Sequence, residues 1–263
     1  YEGDDNYNIS SFSEARLNYL QINPYGPAKD KLTEDARKAI FLAINADEII
    51  DTAYGSDELA TVANSLLTPD QSLYNKDCKG YEQDLEEAKK LAKSSGIEGT
   101  TLKYVYNADL PNMEEVATVL QQQLAEIGVT LDVEGLDSNA FFQRFFAIMF
   151  QSGEEDQWDL GTNGWDSERG SSLGQAYSYI NSSSKAWGFS DEAGQLAAKV
   201  NAAADKDEAK QLANDLQDLT LSEYWEYPLT YTNYVMVSQK NVTGLDAVPV
   251  VPEFVDYLKI KVD

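Results

Sequence analysis

Histidine is missing altogether from the 263 residues. That absence removes Ser–His–Asp and Cys–His triads, imidazole zinc sites and the commonest general base near neutral pH. Cysteine occurs once, as Cys78, so no internal disulfide is possible. One thiol says little about the redox compartment. No run of 18 apolar residues occurs, and nothing in the chain reads as a membrane-spanning helix. Cations are scarce: 20 Lys and Arg stand against 45 Asp and Glu, a formal charge of −25. Nucleic-acid phosphate and anionic lipid repel such a polyanion, so no nucleic acid and no direct membrane contact is expected. The opening YEGDDNYNIS is acidic and polar and does not read as a signal peptide. If the protein is exported, its targeting segment has been removed.

What is present is the composition of a folded chain: 43% hydrophobic and 11% aromatic residues. The length allows one large domain or two small ones. Residues 1–14 are polar and read as a frayed or linker-like segment. RLNYLQIN (16–23) alternates Leu17, Tyr19 and Gln21 against Asn18, Leu20 and Ile22, as a strand with one well-buried side would. Thr33 is placed to cap a helix that carries Glu34 and Asp35 in its first turn. Its apolar positions are Leu32, Ala36, Ala39, Ile40, Ala43 and Ile44. A second short helix runs to Tyr54 and stops at Gly55. Residues 56–80 lack periodicity and read as a long irregular segment.

A helix is predicted over 83–95 with Gly96 as its stop. TLKYVYN then reads as a strand. Asn112 and Glu115 have capping-box spacing ahead of a helix striped with Met113, Val116, Leu120, Leu124 and Ile127. VTLDVEG is the next strand, so 101–135 predicts a βαβ unit with parallel strands. Asp137 or Ser138 caps the next helix. QWDLGTNGW reads as a short strand entering a loop, and helices are predicted at roughly 191–204 and 206–224. YPLTYTNYVMVS and FVDYLKIKV are the last strands. The alternation predicts an α/β domain of about five or six strands.

The stretch GTNGWDSERG (161–170) sets an indole, Trp165, beside Asp166, Glu168 and Arg169. On the residues alone, Trp165 plugs the core at a strand end, Asp166 caps a helix after it, and Glu168–Arg169 is a solvated pair. Arg144 and Arg169 are candidates to hold a ligand carboxylate through a bidentate guanidinium. Arg144, in AFFQRFFAIMF, has the alternative of snorkelling from a hydrophobic helix. SSSK (182–185) satisfies Ser-x-x-Lys, but the companion Ser-Asp-Asn and Lys-Thr-Gly elements do not occur. GEEDQWD (153–159) lacks the spacing of a calcium loop. Neither a cofactor nor a metal is implied.

Taken in order, several stretches resemble the family 5 solute-binding proteins of bacterial ABC importers. NYLQIN is similar to the strand that opens the family's C-terminal lobe, and LTEDARKAIFLAINADEII to its helix pair. EEAKKLAKSSGI and VATVLQQQLAEIGVTLDVEGLD resemble its central βαβ. WDLGTNGWDSE resembles the segment ending in Gly-Trp-x-x-Asp. The run from GFSDEAG to TNYVMV resembles the helices and strand that close the lobe. The resemblance implies an α/β fold: a type II periplasmic-binding-protein lobe with a mixed, mostly parallel sheet flanked by helices. Family members are near twice this length. The expectation is therefore a polar segment (1–15), a C-terminal ligand-binding lobe (16–240), and a return strand (241–263) that would cross to a first lobe.

The same resemblance implies function and residues. The chain would be the substrate-binding component, or part of it, of an importer that captures oligopeptides or dipeptides without catalysis. It would work outside the membrane and dock on permease subunits, the full-length protein being held by a lipid anchor that this chain lacks. Trp165 would be the wall of the cleft and Glu168 the partner of the ligand's α-ammonium, with Asp166 as the alternative anion. Gln21 matches a position that often lines the cleft. RGSSLG replaces the family's later Asp-Pro. An oligosaccharide ligand is the alternative within the family. Outside it stand an acid glycoside hydrolase using two carboxylates and a purely structural or partner-binding domain.

Overall fold

The computed structural model describes residues 1, 3–150, 155–166, 184–245, 247–248, 251–255 and 258–262. Strand β1 (Tyr7–Ile22) precedes helix α1 (Glu34–Ala43), the single turn α2 (Ala46–Ile49) and a π-helical turn, Ile50–Tyr54. Then come β2 (Ala60–Val62), α3 (Leu85–Ser95), β3 (Thr101–Asn107), α4 (Met113–Ala125) and β4 (Thr130–Leu136). Next are α5 (Ser138–Phe145), α6 (Ala147–Phe150) and β5 (Leu160–Asp166). Helices α7 (Asp191–Ala202) and α8 (Lys206–Ser222) lead into β6 (Glu226–Gln239). The single last strand expected at the C-terminus is instead divided. β7 (Val242–Thr243) pairs with β10 (Lys261–Val262), and β8 (Ala247–Val248) with β9 (Val251–Val255).

The main sheet has six strands in the order β2-β6-β1-β5-β3-β4. The predicted βαβ unit is there: β3 and β4 pair in parallel, from Thr101 opposite Thr130 to Asn107 opposite Leu136. β5 joins β3 in parallel, whereas β1 runs antiparallel to both β5 and β6. The sheet is therefore mixed, and its parallel part is β5-β3-β4.

Local chemistry sets most helix starts. Thr33, Asp84, Asp137, Ser190 and Asp205 each accept a backbone N–H of the helix they precede, and acidic residues in the first turn of four of these helices suit the positive end of the dipole. Asn112 departs from the capping-box expectation. It sits in the left-handed region at φ 65° and makes no side-chain cap bond. A cap residue needs extended backbone to turn its side chain onto the exposed N–H groups, so the spacing with Glu115 is incidental.

Helices cover both faces of the sheet. Ala36, Ile40 (α1), Ala88, Ala92 (α3), Val116 and Leu120 (α4) pack on Leu20, Ile22, Leu102 and Tyr104. On the other face Phe141, Phe145 (α5), Ala197 (α7), Leu216 (α8), Trp158 and Trp187 pack on Leu17, Tyr19 and Val105. Both sets of alternating residues in 17–22 are thus buried, not one. β1 is a central strand between two cores, and the flanking helices remove the solvent face that alternation alone implied. Each fully buried Leu, Ile or Phe contributes roughly 1.5–3 kcal/mol.

Two polar side chains pin irregular backbone to this frame. The buried carboxylate of Asp159 accepts from Ala28 N at 2.7 Å and from Lys103 N at 2.8 Å, tying the entry of β5 to the loop after β1. Gln217, wholly buried on α8, donates to Leu73 O at 3.0 Å and accepts from Ser65 Oγ at 2.7 Å and Asn75 N at 3.0 Å. Apart from β2, the segment 56–80 is irregular, and these bonds satisfy backbone that lacks a ladder. The N-terminal stretch expected to fray also finds partners. Tyr7–Ser13 pairs with Asn233–Gln239 as a two-stranded ribbon. Main-chain hydrogen bonds hold it, and they require no apolar pattern in the sequence.

Candidate functional site

The parallel strands β3, β4 and β5 all end at one edge of the sheet, at Asn107, Leu136 and Asp166. In open α/β sheets the carboxyl ends of the strands are where ligands are held. β1 passes this edge in the opposite direction, with Asn18 opposite Gly164, Leu17 opposite Trp165 and Arg16 opposite Asp166. Just beyond, its pairing with β6 jumps from Ser13–Asn233 to Arg16–Thr232. Glu14 and Ala15 are left as a bulge, with Ala15 at φ 52°. A left-handed alanine costs about 1–2 kcal/mol. A bulge re-aims the side chains beside it, and here those are Glu14 and Arg16.

A concavity of about 290 Å³ opens at this place. Glu14, Arg16, Asn18, Tyr54, Asn112 and Thr232 supply its polar lining, and Leu110, Pro111 and Met113 part of its apolar wall. Its groups are linked. Arg16 Nε donates to Asn18 Oδ1 at 3.2 Å, and Asn18 Nδ2 donates to Tyr54 Oη at 3.2 Å and Thr230 Oγ1 at 3.3 Å. Glu14 Oε2 accepts from Thr232 Oγ1 at 2.5 Å. Burial pushes the Tyr54 phenol up from its ordinary value, against the opposing pull of its bonds to Thr230 and Asn18 and of the Arg16 charge. Tyr54 therefore stays a neutral donor and acceptor.

Gly164 has a defined steric role. A Cβ there would lie 2.4 Å from Arg16 Nη2 and 2.6 Å from Asn18 Oδ1. The glycine of the Gly-Trp pair thus gives the guanidinium room to lie over β5. Among the described lining residues Arg16 is the only cation and Glu14 the only anion.

The residues singled out in the sequence are scattered by comparison. Trp165 and Asp166 lie within β5 at the cleft edge, so the indole belongs to a strand and not to a loop. Glu168 and Arg169 fall outside the described residues. Gln21 lies at the far end of β1, five residues from Arg16 or about 17 Å along the strand. It is 0% exposed, and its Nε2 donates to Ile22 O, Trp187 O and Trp225 O. Its place is in the core, because the layer that includes Trp187 and Phe189 closes over this end of the sheet. Arg144 pairs with Glu134 on β4. The pair lines a surface depression with Lys103, Asp132 and Asp156, away from the cleft. Snorkelling is thus replaced by a specific ion pair. Arg16, Asn18 and Tyr54 were not picked out by sequence reasoning. The available signal was the Arg and Asn in RLNYLQIN, polar residues in a strand otherwise rich in core positions.

A second polar anomaly sits opposite Gln21. Glu226, its cross-strand partner, is 1% exposed, and neither carboxylate oxygen has a hydrogen-bond partner; nor does Gln21 Oε1. Burial pushes the Glu226 carboxyl up to about 8. Tyr81, an ionisable group close enough to feel it, is itself held neutral by burial, which raises its phenol well above the ordinary value.

The profile of the bacterial extracellular solute-binding proteins, family 5 Middle, matches residues 1–189. The chain belongs to that family. This family 5 chain is 24% identical over 256 residues to a probable peptide ABC transporter periplasmic-binding protein of Sinorhizobium fredii, covering 93% of this chain and 46% of that one. Among solved structures it is similar to an ABC transporter substrate-binding protein of Listeria monocytogenes, with 29% identity and a TM-score of 0.84. That match covers 97% of this chain and 52% of the other. A putative peptide-binding protein of Clostridium difficile gives 26% identity and a TM-score of 0.85, with 100% and 54% covered. The family 5 chain thus spans about half the length of the relatives it matches.

Proposed function

We propose that this chain is the ligand-gripping lobe of the substrate-binding component of an ABC importer, and that the ligand is a short peptide. The observation that carries the reading is the cleft at the carboxyl ends of β3 and β5. It offers a cation, an anion and a set of amide and hydroxyl groups within about 290 Å³. A peptide is a zwitterion with alternating donors and acceptors, and fixed charges and dipoles of both signs are what it pairs with. Support comes from the relatives named as peptide-binding proteins and from the similar fold of a Helicobacter pylori protein solved with the peptide STSA. In this reading residues 16–240 form the lobe and 241–263 lead toward a second lobe that closes over the ligand. Trp165 supplies an apolar wall, and Glu168 or Asp166 receives the α-ammonium.

The protein works outside the membrane, delivers ligand to permease subunits and catalyses nothing.

Calorimetric titration of the full-length receptor that contains this chain tests the reading. Short peptides are expected to bind at micromolar or lower concentrations, and neutral oligosaccharides not to bind. Glu168→Gln is expected to weaken peptide binding about tenfold. Sugar binding without peptide binding would refute the proposal.

A further inference from the structure

Glu14 reaches from β1 toward β6, whereas the Gly-Trp segment lies on β5, on the other flank of β1. We infer that Glu14 receives a cationic side chain of the ligand, a lysyl ammonium or an arginyl guanidinium, and so biases the receptor toward basic peptides. This rests on the peptide reading above and adds to it the class of peptide.

The carboxylate is aimed into the cleft. Glu14 belongs to the lining, and Thr232 Oγ1, also in the lining, donates to its Oε2 at 2.5 Å. The negative charge is felt by the phenol of Tyr54, a third lining group. Among the described residues Glu14 forms that one hydrogen bond and no ion pair. An ionised carboxylate can accept about four hydrogen bonds, so most of its capacity is open. The side chain is half-buried. A partly desolvated charge without a counter-ion is unfavourable, and a ligand cation that supplies the counter-ion gains a charge-assisted bond.

The backbone is bent to present it. The β1–β6 ladder breaks beside Glu14, and Ala15, 1% exposed, is held at φ 52°. An L-residue pays for that conformation, and such strain persists where it aims a neighbouring side chain.

Its position separates this anion from the one proposed for the α-ammonium. β5 and β6 flank β1, and neighbouring strands lie about 4.8 Å apart, so the two flanks are about 10 Å from each other. An α-ammonium held on the β5 flank leaves Glu14 for a second cation. One peptide step covers about 3.8 Å, and the four-carbon stem of a lysine at the second position covers the rest.

The experiment is calorimetry on the full-length receptor at physiological salt with two tripeptides, Ala-Lys-Ala and Ala-norleucine-Ala. Norleucine keeps the aliphatic stem and lacks the ammonium. The readout is the ratio of the two affinities, which does not depend on the fraction of a variant that is folded. The unmodified receptor should bind the lysine peptide about tenfold more tightly, the effect of one partly exposed charge-assisted bond. Glu14→Gln should bind the lysine peptide about as weakly as the unmodified receptor binds the norleucine peptide, with a ratio near one. Glu14→Asp should keep a smaller preference, and Thr232→Val should reduce it by freeing the carboxylate to swing. The comparison with Glu14→Gln removes the general attraction of a polyanion for any cation. A ratio near one in the unmodified receptor, or an undiminished ratio in Glu14→Gln, would show that Glu14 is not the contact, although the peptide reading survives. If the unmodified receptor binds neither peptide, both readings fall together.

Discussion

Glu226 should make the folded chain lose stability as the solution becomes more alkaline, by an amount the structure sets. Its carboxyl is 1% exposed and has no hydrogen-bond partner, and the residue opposite it in the ladder is Gln21. Burial alone moves it from an ordinary 4.5 to about 8. The folded chain therefore holds this proton up to about pH 8, whereas the unfolded chain releases it near 4.5. Between those limits the folded state binds more protons, so stability falls with rising pH through that window and levels off outside it. At about 1.4 kcal/mol per pH unit the ceiling is about 5 kcal/mol. Water reaching the ion would reduce that to a few kcal/mol, still a large part of a typical stability of about 5–15 kcal/mol.

Glu226→Gln keeps the shape and removes the ionisation. Urea unfolding of both proteins at pH 5, 6.5 and 8 isolates the term, because the general repulsion among the surplus acids is common to both. The variant is expected to be close to the parent at pH 5 and more stable by a few kcal/mol at pH 8. A difference that stays constant across the three pH values would refute the reasoning, since only a proton held by Glu226 can generate the trend.

Two further predictions concern polar groups of opposite kinds. Asp159→Ala should destabilise by about 1–3 kcal/mol, because the part-buried amides of Ala28 and Lys103 would lose their acceptors; urea midpoints at pH 7 measure this, and a loss below about 0.5 kcal/mol would contradict it. Removing the Arg144–Glu134 pair by Arg144→Ala should change stability by no more than about 0.5 kcal/mol, since the Glu134 side chain is 55% exposed and water screens the pair. The same variant should leave ligand titrations unchanged, and a clear loss of binding would return Arg144 to the site.

Local signals in the sequence proved dependable where local chemistry decides the structure. Thr33 and Asp137 cap helices because a side-chain oxygen beside bare N–H groups acts over two or three residues. The stripe from Met113 to Ile127 is buried as its period requires. The parallel pairing of β3 and β4 follows from the length of the helix between them. What could not be read depends on contacts distant in sequence. The alternation in 17–22 showed one buried side, since a second helical layer over the other face is contributed by residues more than 100 positions later. Asn112 had the right spacing and the wrong backbone conformation. Gln21 and Arg16 look equally polar on one strand. Their positions relative to the bulge and to the closing helices send one into the core and the other to the cleft. Trp165, read at the mouth of a loop, lies within β5.

The bulge at Glu14–Ala15 divides β1 into two stretches with different tolerances. Toward Ile22, alternate residues belong to opposite helical layers, so inserting or deleting one position would swap Leu17 and Tyr19 with Asn18 and Leu20 and scramble both interiors. Toward Tyr7, the ribbon is held by its own main chain and by bonds from Asn8, Ser11 and Ser13 to Val242 O, Glu58 O and Asp70 Oδ2, so a change in its length alters these outer contacts and leaves both interiors in place. Evolution can therefore tune the arm and the pocket independently, although both are cut from one continuous strand.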